Sequence, residues 1–375
     1  MNRTYVDIHI LQTVPPSNLN RDDAGSPKQA VYGGARRARV SSQAWKRAAR
    51  KAFANQVPEA ELATRTKRIS ALLRDRLTAR TGLEAEAAAR IATALLSPLG
   101  IKPGKKATET AYLLFFGLPQ VDRLVDLVAD RAHELAALAD KALEEALKDL
   151  PVKEQLGSGH PIDVALFGRM VADIPGLNVD AATQVAHALS THAVETEFDY
   201  YTAVDDENTD DSGAGMIGTV EFNSSTLYRF ATLGVHQLVD NLGGDIEAAA
   251  TALGVFLTAF VTSMPTGHQN SFAHRTLPNL VTVVIREDQP VNLVSAFEKP
   301  VPPREGIVGE SVQRLIDELA RANELWGRAP LAVASTYSPA KSDNELAVLG
   351  APLPFPKLVT TVTDTVRGRL TTGAA

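Results

Sequence analysis

The stretch GGARRARVSSQAWKRAARK, Gly33 to Lys51, holds seven Lys or Arg and no Asp or Glu. With Lys28 included, eight basic residues lie between 28 and 51, still without an acid. Arginines on a glycine-containing loop that runs into a serine-capped helix make a phosphate seat. The guanidinium grips phosphate bidentately, and the first backbone N–H groups of a helix favour anions. A charge run is ordinarily a solvated face. Here the lack of acid partners and the position at a helix start favour binding to a nucleic-acid backbone.

Other residues carry weaker chemistry. Asp22 and Asp23 sit beside Arg21 in the loop PPSNLNRDDAGSP. Two carboxylates there could hold Mg²⁺ for phosphodiester cleavage, although a salt bridge or loop hydrogen bond is the simpler reading. Phe198, Tyr200 and Tyr201 precede Thr202, and strand alternation puts Phe198 and Tyr200 on one face and Tyr201 on the other. Such aromatics can stack on or wedge between bases, but more often they cover a sheet. The eight His are scattered, and His187 and His192 lack HExxH spacing. The acids of DDENTDD read as a solvated tip without calcium-loop spacing. GLPQVDR and NLGGD are short turn signals, far from a phosphate loop or a dinucleotide fingerprint. No Ser/His/Asp arrangement can be picked out by spacing, so neither catalysis nor a cofactor is expected.

The elements that must position these residues follow from periodicity. Residues 4–14 alternate and are β-branched, which predicts a strand, and Gly33-Gly34 reads as a flexible segment after the loop. Ser41 and Ser42 then cap a helix expected to run to about Asn55, with Trp45, Ala48, Ala49 and Ala52 inward and Lys46 and Arg50 together on another face. From about 58 to 190 the pattern is Ala/Leu-rich and helical. LVDLVADRAHELAALADKALEEALKDL reads as one long amphipathic helix, GIKPGKKATET as a basic loop, and DAATQVAHALSTH as a helix opened by Asp180. ETEFDYYTAV and GTVEFNSSTLYRFATL are strands flanking the acidic tip, as in a long hairpin. DIEAAATALGVFLTAFVTSM is a helix, LVTVVIR a strand, 308–326 a helix, and the remainder a Pro-rich tail. Without the helical insertion the order is β-α-β-β-α-β, the ferredoxin-like arrangement that also underlies RNA-recognition domains.

The totals limit the reading. A chain of 375 residues, 45% hydrophobic and 22% charged, buries a core easily and has room for two or three domains. Its net charge of −6 argues against non-specific coating of nucleic acid. A local basic groove stays compatible, because surface charges are screened beyond about 8–10 Å. Without cysteine, no disulfide framework, thiolate zinc site or cysteine nucleophile is available. No apolar run approaches the roughly 18 residues of a membrane span, and the N-terminus enters a strand pattern directly, so a cytoplasmic protein with no membrane partner is expected.

Five stretches carry a family likeness: DIHILQTVPPSNLNRDD, VYGGARRARVSSQAWKRAARK, IDVALFGRM, AHALSTHAVETEFDYYTAVDD and GTVEFNSSTLYRFA. Together and in order they resemble the CasC (Cse-type) family, the CRISPR RNA-binding backbone subunit of the type I-E CRISPR Cascade complex. The resemblance runs over almost the whole chain. It implies an α+β protein with an RNA-recognition-like palm, a large helical finger insertion and a protruding β-hairpin thumb. The palm would take residues 1–57 and 191–290, the fingers 58–190, the thumb about 196–222, and a C-terminal palm extension 291–375.

The resemblance also implies partners and contacts. Copies of the subunit would assemble head to tail along one CRISPR RNA, pair the guide with target DNA, join other Cascade subunits and leave cutting to a recruited helicase–nuclease. RNA-binding residues would be Asn20, Arg21, Lys28, Arg36, Arg39, Ser41, Ser42, Gln43, Lys46 and Arg50. Arg169 and Met170 would lie near the guide, and Tyr200, Tyr201 and Thr202 on the thumb. Relatives in type III complexes cut RNA with a loop Asp, which makes a metal-dependent ribonuclease using Asp22 or Asp23 the alternative. A free-standing RNA-binding regulator is the third reading.

Overall fold

The structure, a computed structural model, describes residues 3–101, 109–110, 113–171, 174–204, 214–304, 306–327, 329–338 and 347–372. The basic run in GIKPGKKATET and the acidic tip DDENTDD fall outside these residues. The protein is mixed α+β, and its chain divides into two compact units. The first comprises Met1–Phe53, Gln184–Gly234 and Leu253–Ala375, the second Ala54–Thr183 and Val235–Ala252.

In chain order the strands are β1 (Tyr5–Ser17), β2 (Gln29–Tyr32), β3 (Ala35–Val40), β4 (Ala63–Thr66), β5 (Leu114–Gly117), β6 (Thr183–Val185), β7 (Ala188–Ser190), β8 (Glu197–Val204), β9 (Ala214–Gly234), β10 (Leu280–Arg286) and β11 (Ala332–Tyr337). The first unit is built on a sheet of order β11-β10-β1-β9-β7-β3-β2, with β6 and β8 also pairing with β9. Strand β1 is central and antiparallel to both neighbours, Ile8 facing Val283 on one side and Ala231 on the other.

The alternation of β1 suggests one wet face, yet Val6 through Gln12 are all buried. The polar members survive burial because each finds a partner. His9 Nδ1 lies 2.9 Å from the Tyr228 hydroxyl, Gln12 donates to the Thr276 carbonyl at 2.8 Å, and Asp7 accepts from the Val291 amide at 2.8 Å. Beside them Leu11, Phe230, Leu280, Val284 and Phe297 join Leu315 and Leu319 of the helix Val308–Trp326 in one apolar cluster. Each such side chain contributes roughly 1.5–3 kcal/mol on burial.

Two strands do more than fill the sheet. The 21-residue β9 pairs with β1 through its C-terminal half and with β8 through its N-terminal half, so β8 and β9 form a long hairpin. Gly33 and Gly34 are not a flexible segment. Both have positive φ, 57° and 74°, and form the two-residue turn between β2 and β3, the conformation that a right-twisted hairpin selects. A side chain at Gly33 would collide with the Glu298 carbonyl.

Two helical expectations fail, and one unexpected helix forms. DAATQVAHALSTH forms β6 and β7, because Leu189 and Ser190 pair with β9 while Ala188 and Leu189 pair with β3. The expected long helix breaks into Leu118–Asp126, a 3₁₀ turn at Ala129–Arg131, Ala132–Ala136 and Asp140–Leu147. The second break is held by Arg90, whose guanidinium takes the carbonyls of Ala136 and Leu138 as those helix-end acceptors come free. The Pro-rich tail ends in the helix Phe355–Thr372, with Leu358, Val362, Val366 and Leu370 buried at four-residue spacing. In the second unit Leu73, Ile91, Leu95, Leu124 and Leu143 share one core, and β4 pairs with β5.

Candidate nucleic-acid interface

The loop between β1 and β2 is made rigid by its own polar residues. Buried Asn18 donates to the carbonyls of Gly25 (2.9 Å) and Glu221 (3.0 Å). Asp22 Oδ1 accepts from the amides of Ala24 (2.9 Å) and Ser26 (3.0 Å), closing an Asx-type turn. Asn20 accepts from the Ser41 amide at 2.9 Å, which ties this loop to the start of helix α1 (Ser42–Ala52). Ser41 is the N-cap, its hydroxyl accepting from the Ala44 amide. No acid occupies the first turn of α1, and Arg50 and Lys51 sit in its last turn.

Helix α1 is anchored from below by a buried cation. Trp45 and Ala49 point into the core, and the Arg229 guanidinium lies 3.7 Å from the Trp45 ring centroid. Arg229 donates to Gln12 Oε1 and to the Phe260 and Val261 carbonyls. Burial pulls its pKa down to about 9, which leaves it charged at neutral pH. Arg37 is likewise buried and donates to the carbonyls of Tyr32, Ser190, Phe297 and Glu298.

With the loop and helix fixed, a groove of about 750 Å³ opens between them. Arg21, Lys28, Gln43, Arg47 and Lys51 line it, and Met264–His268 supplies the opposite wall. That wall sits tightly: a Cβ on Gly267 would overlap the carbonyls of Asn18 and Leu19. Asp22 and Asp23 line the groove too. Among the described residues Arg21, Lys28, Arg39, Arg47 and Lys51 form no ion pair. No three His, Cys, Asp or Glu among the described residues are grouped to hold a metal.

The expected residues divide by position. Arg21, Lys28, Ser41 and Gln43 line the groove, together with Asn20. Arg39 and Ser42 meet at His187, whose Nδ1 is 3.4 Å from Arg39 Nη1 and 3.3 Å from the Ser42 amide. Arg36 is exposed on the β2–β3 hairpin and donates to Gln29 Oε1 at 3.0 Å. Lys46 and Arg50 do not line the groove. Residues 43, 47 and 51 share its face, and at about 100° per residue positions 46 and 50 fall on the neighbouring flank.

In the second unit Arg169 is an internal staple and presents no charge to a partner. It is 6% exposed and donates to the carbonyls of Leu177 (2.7 Å), Leu156 (2.9 Å) and Phe115 (3.3 Å), and burial pulls its pKa down to about 10. Met170 beside it is 84% exposed. On the hairpin Phe198, Tyr200 and Thr202 stand out from the strand, Tyr200 at 74% exposure. Tyr201 behaves differently. Its ring lies across Gly218, its partner on β9, in the space a Cβ would fill.

Sequence reading missed Arg47, Lys51, His187 and the wall at 264–268. The first two were legible as the i, i+4, i+8 face that starts at Gln43. MPTGHQ showed only a turn-rich, polar composition after an apolar helix, and nothing tied it to a loop 240 residues earlier in the chain.

Comparison with known proteins bears on the whole chain. The sequence profile of the family described as CT1975-like protein matches residues 6–359. No curated protein matches. A chain of a solved CRISPR RNA-guided surveillance complex, pre-nicking, is similar at 36% identity and a TM-score of 0.84, over 96% of this chain and 100% of that one. A chain of another CRISPR RNA-guided surveillance complex is similar at 30% identity and a TM-score of 0.70, over 96% of this chain and 99% of that one.

Proposed function

This chain belongs to the CT1975-like protein family, and from that premise we propose that it is the CRISPR RNA-binding backbone subunit of a Cascade-type surveillance complex, in the role that CasC fills in type I-E. Several copies line up head to tail along one guide RNA in the cytoplasm and present it for pairing with invading DNA. The observation that carries this reading is the groove, where cations without carboxylate partners gather on one face of α1 and on the loop beside it. A scaffold that accepts any guide cannot read base edges. It holds phosphate and sugar and leaves sequence choice to base pairing.

The strand order β10-β1-β9-β7, with helices after β1 and β9, supports a ferredoxin-like palm. In this reading the helical unit serves as fingers and the β8–β9 hairpin as a thumb whose exposed Phe198 and Tyr200 displace bases of the guide. A head-to-tail contact is heterologous, so it extends along RNA instead of closing on itself. The protein does no chemistry of its own. Asp22, which with Asp23 is a candidate of the ribonuclease alternative, has one carboxylate oxygen engaged by two amides of its own turn.

Native mass spectrometry of the chain with single-stranded RNAs of increasing length tests the proposal. Copy number per RNA should rise in even steps with length. One copy per RNA at every length would point to a free-standing RNA binder, and Mg²⁺-dependent shortening of the RNA to a nuclease.

A further inference from the structure

Two arginines of the basic region are held by imidazoles, where five arginines of the helical unit are held by carboxylates. Arg21 Nη1 lies 3.2 Å from His268 Nε2, and Arg39 Nη1 lies 3.4 Å from His187 Nδ1. Arginine has donors only, so in each contact the ring nitrogen accepts and the imidazole is neutral. The Ser42 amide, 3.3 Å from the same His187 nitrogen, requires the same tautomer. A neutral acceptor orients a guanidinium without cancelling its charge. A carboxylate in the same place would hold it as well but would leave no net charge for a phosphate.

His268 is placed there at a conformational cost. Its φ is +48°, and Ala273 at the far end of the one-turn helix Gln269–Phe272 has φ +45°. Non-glycine residues seldom adopt this region, and such strain collects at binding sites. The turn is braced by Phe272, whose ring stacks at an angle on Phe222 of β9 with centroids 5.8 Å apart, and by buried His274, which contacts the Pro265 carbonyl at 3.1 Å. His187 sits in the two-residue connection between β6 and β7.

A cation faces each ring, and His268 also has carboxylates in its groove. His268 faces Arg21 from the loop, with Arg47 and Lys51 of α1 and Asp22 and Asp23 of the loop sharing its groove. His187 faces Arg39 of β3 and Lys28 of the loop. Burial first, then Arg21 at His268 and Arg39 with Lys28 at His187, hold both imidazoles below their usual pKa of 6.5.

We infer that His187 and His268 belong to the polyanion-binding site, where each positions an arginine while the groove is empty and becomes a second cation when a ribose-phosphate chain enters. A phosphate on Arg21 or Arg39 neutralises the neighbour that disfavours the imidazolium and offers it an acceptor. The ring then takes one proton from solvent on the nitrogen that had accepted from the arginine. That hydrogen bond, and at His187 the one from the Ser42 amide, is given up in favour of an N–H to phosphate, and no covalent bond other than the new N–H changes. Binding and protonation are therefore linked, and affinity rises as pH falls through the interval between the free and bound pKa values. The inference rests on the RNA-binding reading above.

The test is the affinity of the full chain for a mixed-sequence single-stranded RNA between pH 8 and pH 6, with proton uptake measured by calorimetry in buffers of different ionisation enthalpy. The wild type should bind at least about threefold more tightly at pH 6 and take up protons. The double variant His187→Gln, His268→Asn should bind with little pH dependence. Asn tolerates the left-handed backbone at 268, which keeps the wall in place. Equal pH dependence in both chains overturns the inference and leaves the scaffold reading intact, whereas a wild type that binds RNA at no pH overturns both. Imidazole proton resonances of the wild type give an answer that needs no variant. Two of them should titrate below 6.5 without RNA and above it with RNA, and titrations that RNA leaves unmoved also overturn the inference.

Discussion

In the helical unit Arg74, Arg76, Arg80, Arg90 and Arg131 each face a carboxylate: Asp75, Asp122, Asp126, Asp140 and Glu134. Of the groove cations Arg21 faces an imidazole, and among the described residues Arg21, Lys28, Arg47 and Lys51 form no ion pair. The paired arginines are half-buried or exposed and their carboxylates exposed, where such a pair contributes about 0–1 kcal/mol. Arg76, Arg80 and Arg90 fasten one helix to another, Arg74 and Arg131 pair within three residues of themselves, and all leave little net field. The unpaired ones share their groove with Asp22 and Asp23, and on the proposed reading their remaining charge is met by a phosphate chain. One residue type thus does two jobs, and the difference lies in what stands opposite the guanidinium.

The largest effect that would break this contrast comes from reversing groove charges. Arg47→Glu with Lys51→Glu should weaken RNA binding about 100-fold at 0.1 M salt and flatten the dependence of log K on log salt by about 1.4, two single-strand phosphate contacts' worth. The same reversal at Arg76 and Arg80 of the helical unit should leave RNA affinity unchanged. Filter binding across a salt series compares the two.

Next in size is the wall that faces the cations. Gly267→Ala places a Cβ against two backbone carbonyls that have little freedom to retreat. It should lower unfolding free energy by roughly 2–3 kcal/mol, read from the denaturant midpoint.

A third measurement separates groove titration from core titration. Burial lowers the His9 pKa to about 3, so His9 favours the fold above 6.5, and that contribution is lost as pH falls towards 3. Burial raises the Asp7 pKa to about 6, so Asp7 has the opposite sign: its contribution is full below 3.8 and is lost as pH rises through 6. Two residues apart on β1, they nearly cancel between pH 7 and pH 5. Over that interval His9→Gln should gain about 1 kcal/mol of stability on acidification and Asp7→Asn should lose about 2 kcal/mol, measured by urea unfolding at each pH. The smallest effect belongs to the paired set. Arg76→Ala should cost no more than about 1 kcal/mol and leave RNA binding alone.

Much of the fold was legible in advance because local patterns agree with the tertiary structure. The Ser41 cap, the helices at 246–262 and 308–326, and the strand at 280–286 all follow from spacing and capping. The failures share a cause. Residues 183–190 carry an Ala-rich helical look, but β3 and β9 each needed a strand partner, and tertiary pairing overrode propensity. The polar face of β1 looked wet because nothing local announces that Tyr228, Thr276 and Val291 supply its hydrogen bonds. At the site, charge made the basic segment conspicuous, while the helix phase that chooses Arg47 and Lys51 over Lys46 and Arg50 depends on where Trp45 packs. Arg169 shows the same limit: an arginine in a motif cannot be told from one that staples carbonyls until its burial is known.

The central claim is that the groove cations hold a phosphate chain without regard to its letters. The measurement that meets it most directly is the Kd of the full chain for two RNAs of equal length and unrelated sequence, each over a range of salt. The account predicts equal affinities at every salt concentration and a steep, linear fall of log K with log salt. Affinities that differ by tenfold or more between the sequences, or that ignore salt, would contradict it.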